Sequence, residues 1–594
     1  MNLKTERTHP THGQRRMGRR TNSPARGPRL AKRFQPLRSG EKPLQIIPLG
    51  GQEEVGRNMT IYEYSGDIVI LDIGLQFPEE NMPGIDYIIP DIRSLKGREK
   101  DIRGVILTHG HLDHIGAATH ILPRLGWPTV YGSRLTLAIV RKRLEEAKLL
   151  HLFKSQEITS IDTKLRLGKI TVSFFHVTHS IMDALGVIIQ TPLGNVIHMG
   201  DWRYDHDPAN GKLTDFSELA RWNTPKIPSL LMMESLGSTK PGHQASTRQI
   251  IENLRKIVES AKGRLIIATF SSMVERVGQL IDIAEKLGKK VALDGYSMKA
   301  NMEIAKKIGY VKFNPHTVID ISQIDDYPEN KIVILCTGAQ GEDRGVLMRI
   351  ATGEHRKLKV RTNDTIIFSS SVIPGNERTI QTLKDKLYRL GAQVLHQEIM
   401  DVHASGHALI EDIKLLLRQI KPKYLMPVYA NHYLLREGAK VAESDGFTKE
   451  NIFVLDNGNI LEWTKAGPRI SSQKIPIEYV YVDGLGVGDI SHVVLRDRQM
   501  MAGDGMIVVI ATVDTKQGKL VHNPDLISRG FIYMKENKKL IEETRRRVKK
   551  IFSENLTTDL DENYYKDKIR NDIGQFLYQK TQRRPMVLPV IIKV

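Results

Sequence analysis

The chain has 594 residues, a formal net charge of +19 and a pI near 9.6. That length implies several domains, and that charge a polyanionic partner. One cysteine, Cys336, excludes an intramolecular disulfide and suits a reducing cytoplasm. No apolar run approaches the roughly 20 residues of a membrane span, and the basic N-terminus lacks the apolar stretch of a secretory signal, so a cytoplasmic location without membrane attachment is expected.

Residues 1–42 hold twelve Lys/Arg against two Glu, which is more than half of the net charge. Rich in Arg, Pro, Gly, Ser and Thr, they cannot build a core and are expected to be a disordered basic tail. Such a tail is either simply solvated or a weak RNA-binding arm. Leu44 to Pro48 then starts a first strand, and residues 60–64 and 68–71 form a hairpin around Ser65-Gly66-Asp67.

The apolar run Gly104-Val105-Ile106-Leu107 predicts a buried strand. Thr108-His109-Gly110-His111-Leu112-Asp113-His114 follows it directly. Alternation at a strand end points His109 and His111 to one side. Asp113 and His114 return to that point from a loop or a first helical turn. Three imidazoles and a carboxylate without thiolate suit zinc in a catalytic rather than a structural role. Strand and loop then alternate, with His179 after the strand Ile170 to Phe175 and Asp201 after Asn195 to His198.

From about residue 230 to 380 the pattern becomes repeated α/β units. Leu265 to Phe270, Lys290 to Leu293 and Lys331 to Leu335 are apolar strands, and Val277 to Leu287 has helical period. This stretch carries none of the first ligands, yet His403, His407 and Pro427 to His432 lie beyond it. An inserted α/β domain within a chain that returns to the metal-binding sheet explains this. The cleft between the two is the expected substrate site. Residues 466–478, with Gly467, Pro468, Ser471, Ser472 and Pro476, are expected to be a linker. Strands Met506 to Thr512 and Val587 to Ile592 around two basic helices close the chain.

The cluster His109 to His114 resembles the H-x-H-x-D-H signature of the metallo-β-lactamase superfamily. Met233-Glu234-Ser235, Ala268 to Ser272, Thr337 to Glu342, Ile373 to Glu377 and His403 to His407 resemble the inserted domain of the β-CASP nucleases. With Val482 to Asp489, Ile527 to Phe531 and Arg583 to Val590 added, residues 43 to 594 resemble bacterial ribonuclease J.

The resemblance implies an α/β fold: a metallo-β-lactamase αββα sandwich with an inserted β-CASP α/β domain, plus a small C-terminal α+β domain. The implied division is 43–230, an insert over 231–380, a return over 381–465, the linker, and an assembly domain over 479–594. It implies that His109, His111 and His179 hold one Zn2+, that Asp113 and His114 hold a second, and that Asp201 bridges; manganese is the alternative ion. Asp72 then braces the metal loop. His407 is the implied general acid, oriented by Glu234. His403, Ala404, Ser405, Gly406 and His407, with Ser369, Ser370 and Gly338, would bind RNA phosphate and a 5′ monophosphate.

The implied activity is hydrolysis of RNA phosphodiesters, by 5′-to-3′ exonuclease and endonuclease attack, in mRNA decay and rRNA maturation. The implied assembly is a homodimer or homotetramer, with RNA-decay or ribosome-associated partners. One departure stands out. The family's Pro-Val-His-Gly-Glu segment reads Pro427-Val428-Tyr429-Ala430-Asn431-His432 here, so a tyrosine takes the place of the second ion's last ligand. Either His432 replaces it or the second site is impaired. The other functional reading is therefore a catalytically weakened paralogue that binds RNA beside an active partner.

Overall fold

The computed structural model describes residues 42–594 except 215, 343–344, 374, 489–491, 516, 518 and 555–560. The basic tail expected over 1–42 lies, but for Lys42, outside the described residues.

Two sheets pack face to face. The first has eight strands, in the order 467–474, 459–464, 44–50, 59–64, 67–71, 102–106, 130–132 and 155–157. The second has six, in the order 424–428, 229–234, 194–198, 185–191, 170–176 and 164–167. Alternation along each strand gives both sheets two apolar faces. Ile46, Tyr62, Val69 and Ile106 of the first sheet meet Val172, Val187, Val196 and Met232 of the second in one core. On the outer side of the first sheet, Ile47, Ile61, Ile70 and Val105 pack with Ile121, Leu135 and Val140 of helices Ala118–Arg124 and Arg134–Glu146. Ile188, Ile197 and Leu231 of the second pack with Ile413, Leu416 and Ile420 of helix Ile410–Ile420. The result is an αββα sandwich.

The chain leaves the sandwich after the strand Ser229–Glu234 and returns with Tyr424–Val428, which pairs in parallel with it, Glu234 opposite Val428. Between them lies a wholly parallel six-stranded sheet, in the order 318–319, 290–294, 332–336, 265–269, 365–369 and 393–395. Its central strands Leu265–Thr269 and Ile332–Cys336 are buried along their whole length, as helices on both faces require. Two of the sequence limits shift. The strand ending at Glu234 belongs to the sandwich, and the insert's last strand, Gln393–Leu395, lies past residue 380.

The expected linker over 466–478 is mostly a strand. Gly467–Lys474 pairs antiparallel with Asn459–Thr464 at the edge of the eight-stranded sheet. An edge strand exposes its outer residues to water, so Ser, Gln and Lys are as acceptable there as in a loop, and composition alone misreads it. Beyond it, Met506–Asp514 pairs in parallel with the C-terminal strand Met586–Lys593. Helices Lys538–Glu554 and Glu562–Thr581 cover one face of that pair.

Candidate functional site

Strand ends supply the site. His109 and His111 follow Ile102–Ile106, His179 follows Ile170–His176, Asp201 follows Gly194–His198, and Glu234 closes its strand. The loop His403 to His407 comes in from the far side of the insert.

His109 and His179 are each turned by a partner on the other nitrogen. His179 Nδ1–H donates to the Gly406 carbonyl at 2.7 Å, which leaves Nε2 as a lone pair. Thr108 Oγ1 donates to Asp72 and so accepts from His109 Nδ1–H at 3.0 Å, which frees His109 Nε2 in the same way. Both lone pairs face His111 Nδ1, at 3.0 Å and 3.1 Å. One proton on His111 could satisfy only one of them. Burial, and then the crowding of neighbouring imidazoles, holds His109 well below its ordinary pKa; burial takes His111 down to about 4. Three neutral nitrogens thus converge beside Asp201 Oδ2, which lies 4.0 Å from His109 Nε2 and 3.8 Å from His179 Nε2.

A second set shares Asp201. His114 Nδ1 bonds the buried Asp72 carboxylate at 2.8 Å and points Nε2 the other way. Asp113 Oδ2 stands 3.5 Å and Asp201 Oδ1 3.4 Å from that nitrogen. Asp201 Oδ1 is buried with no hydrogen-bond partner. The ligand atoms of His109, His111, His179 and Asp201 lie within 4.8 Å of one another, as do those of Asp113, His114 and Asp201. Converging lone pairs, an orphaned carboxylate oxygen and imidazoles held by backing partners fit divalent cations in both places.

Asp72 organises the loop. Its Oδ1 accepts from Thr108 N at 2.8 Å and its Oδ2 from His114. Gly74 allows the motif's backbone to approach, since a Cβ there would stand 1.6 Å from the Asp113 carbonyl oxygen.

His407 Nδ1 lies 2.7 Å from Glu234 Oε2, and the Trp202 amide donates to Glu234 Oε1 at 3.0 Å. Burial pushes Glu234 up to about 7, although His407 pulls the other way. Burial would lower His407, but the charge and hydrogen bond of Glu234, with Asp201, outweigh it and raise the imidazole to about 9. The pair therefore keeps a proton near neutral pH. His407 is 30 % exposed, while Glu234 is buried.

The expected phosphate residues are more enclosed. His403 is buried and accepts from Arg276 Nη1 at 2.8 Å. Ser369 Oγ donates to the Val402 carbonyl and accepts from the same guanidinium at 3.1 Å. Ala404, Ser405, Gly406, Ser370 and Gly338 are buried too, Ser370 beside Gln340. Arg276, held down to about 9 by burial and by the nearby Arg203, was missed in the sequence, where a lone arginine on a helix carries no signal.

His432 is not part of the site. It opens helix His432–Ser444, faces solvent, and bonds Asp456 Oδ1 at 3.0 Å. No tight turn brings it back, because Asn431 is extended and the helix starts at once. Tyr429 is buried in left-handed backbone, φ +59°. Its hydroxyl donates to Asp72 Oδ2 at 3.4 Å, and its ring stands edge-on to His114. Burial, and then Asp72, raise the phenol well above its ordinary pKa, so it stays neutral.

With this geometry in hand, three family models match the chain. Residues 53–268 match the metallo-β-lactamase superfamily, 262–387 the β-CASP domain of ribonuclease J, and 493–594 the ribonuclease J C-terminal domain. Ribonuclease J2 of Bacillus subtilis is 35% identical over 558 residues, 93% of this chain and 99% of that protein. Ribonuclease J 1 of Streptococcus pyogenes is 36% identical over 550 residues, 92% of this chain and 97% of that one. A crystal structure of a protein of unknown function from Enterococcus faecalis shares the fold, with TM-score 0.50 and 17% identity over 71% of this chain and all of that one. The fold and site define a metallo-β-lactamase and β-CASP nuclease. The chain belongs to the ribonuclease J family, and is a hydrolase whose class of substrate is RNA.

Proposed function

We propose that this chain is a metal-dependent ribonuclease that degrades RNA from the 5′ end, prefers a 5′ monophosphate, and also cuts internally. The convergence of His109, His111 and His179 lone pairs on Asp201 carries this reading. His109, His111, His179 and Asp201 would hold one ion, and Asp113, His114 and Asp201 a second, zinc or manganese in each case. Bound there, divalent ions supply Lewis-acid charge against the repelling oxygens of the phosphodiester.

The chain's own residues do the rest. Glu234 fixes His407 through Nδ1, so Nε2 is the atom that gives a proton to the departing 3′ oxygen. Trp202 N–H holds the other Glu234 oxygen, which keeps the carboxylate from turning away. His403 to Gly406, backed by Arg276, with Ser369, Ser370 and Gly338, would grip the 5′ phosphate. The division that goes with this function is a sandwich over 43–234 and 408–474, an insert between them, and a C-terminal unit from 479. The proposed roles are mRNA decay and rRNA maturation in the cytoplasm; the relatives' names support the ribonuclease alone. The chain would work as a homodimer or homotetramer with RNA-decay or ribosome-associated partners.

Tyr429 favours a second reading, a weakened paralogue that binds RNA for an active partner. One experiment separates them. The purified full-length chain is analysed for metal and given 5′-labelled RNA, beside His109→Ala. Cleavage by the parent, lost on chelation and in the folded variant, is the expected result; undiminished cleavage by a metal-analysed His109→Ala protein would sink the metal reading.

A further inference from the structure

We infer that Asn58, through its side-chain oxygen, is the protein ligand that completes the Asp113, His114 and Asp201 set in place of Tyr429. This rests on the metal-dependent reading above and says which residue of this chain closes the second site.

Asn58 is 2% exposed and held on both sides by backbone. Its N–H donates to the Asp113 carbonyl at 2.9 Å, and its own carbonyl accepts from Gly74 N at 3.0 Å. The side chain is thereby aimed at the site. Nδ2 stands 2.9 Å from His114 Nε2 and 3.4 Å from Asp113 Oδ2, both atoms of the second set. Oδ1 is buried without a hydrogen-bond partner.

That arrangement cannot survive a bound cation. An ion would take the single lone pair of His114 Nε2, so the N–H aimed at it would lose that acceptor and turn its positive end toward positive charge. The two ends of an amide are nearly equal in shape, and a half turn about the last side-chain bond exchanges them. The oxygen then faces the cation and is no longer orphaned. The nitrogen takes the place of Oδ1, beside Gly51 and the Tyr429 ring. A Cβ on Gly51 would stand 2.4 Å from Oδ1 and 2.9 Å from Tyr429 Cδ1, so glycine is what leaves room for both. An aromatic neighbour is a weak acceptor for that N–H.

A consequence for metal preference follows. The first set offers three imidazole nitrogens and a carboxylate; the second then offers one imidazole and three oxygens. Carbonyl and carboxylate oxygens suit manganese and magnesium better than imidazole does. The zinc-over-manganese preference should therefore be smaller at the second site than at the first.

The test uses the full-length chain, stripped with chelator and titrated separately with Zn2+ and Mn2+, with bound metal counted by mass spectrometry. Asn58→Leu keeps the volume and removes the oxygen; Asn58→Asp keeps both shape and oxygen. The expected result is two ions in the parent, a second ion at least ten-fold weaker in Asn58→Leu with the first unchanged, and a second ion held no more weakly in Asn58→Asp. An unchanged second affinity in folded Asn58→Leu overturns the assignment of Asn58 alone. A parent that binds no ion overturns the metal reading on which it rests.

Discussion

His407 presents Nδ1 to Glu234 and leaves part of its ring exposed, and the value of that arrangement can be read residue by residue. Removing the imidazole in His407→Ala should lower the cleavage rate by about 10²–10⁴-fold, the usual range for a positioned acid. Glu234→Gln should lower it less, since the ring survives but loses the charge that holds its proton. Metal content should stay at the parent value in His407→Ala. Asp201, Glu234 and His407 also lie close enough to share a cation. An ion lost in His407→Ala would therefore make the histidine a ligand instead of an acid. At this scale the sequence was most legible where residues repeat at short spacing. The run His109 to His114 names its own chemistry because a strand end brings alternate side chains to one side. Asn58 and Arg276 gave no such signal. Each is a single polar residue whose meaning comes from what distant segments place against it, Asp113 and His114 in one case, His403 and Ser369 in the other. His432 misled for the opposite reason: three residues is a short distance in sequence, but a helix start turns it into solvent.

Between elements, the inserted sheet depends on a buried ion pair at the entry of two neighbouring strands. Arg264 Nε and Nη2 donate to the two Asp364 oxygens at 2.9 Å and 2.7 Å, and both side chains are buried. The pair joins the residues just before Leu265–Thr269 and Thr365–Ser369, which run parallel in register. Arg264→Met leaves Asp364 buried without its partner, which should destabilise the insert by about 3–5 kcal/mol. Replacing both, Arg264→Met with Asp364→Leu, should recover most of that loss. Urea unfolding of the two proteins checks it, and equal midpoints would show that the carboxylate finds another partner. The apolar strands of this sheet were plain in the sequence, because strands covered on both faces are continuous runs of Val, Ile and Leu. The edge strand Gly467–Lys474 was not, because one flank in water imposes no apolar pattern. The limits of the insert were blurred for a related reason. Strand 229–234 is as apolar as those that follow it, and nothing local tells which sheet it joins.

For the whole molecule, the proposed recognition of RNA ends depends on how the insert meets the sandwich. The loop His403 to His407 runs from the insert side to His179, whose Nδ1–H its Gly406 carbonyl accepts. On the proposed function, a 5′ end seated against that loop would bring the scissile bond to His407 only if the end is compact. RNA with a 5′ monophosphate should therefore release mononucleotides faster than the same sequence with a triphosphate. Matched time courses on the two RNAs measure it, and equal release would argue that ends are not recognised. No helix among the described residues is long and apolar enough to cross a membrane.

The sandwich is finished late. Its second sheet waits for Tyr424–Val428, which pairs with Ser229–Glu234 across the whole insert, and Gln52 near the start bridges to Ala430 near the return. A ribosome translating this chain thus exposes His109, His111, His179 and Asp201 long before His407 and the closing strand emerge. Domains form as units as they leave the tunnel, so the insert folds while the sandwich is still open. A nascent nuclease of this design has its imidazoles but no acid. On the proposed function, the message being read is spared until the chain is nearly complete.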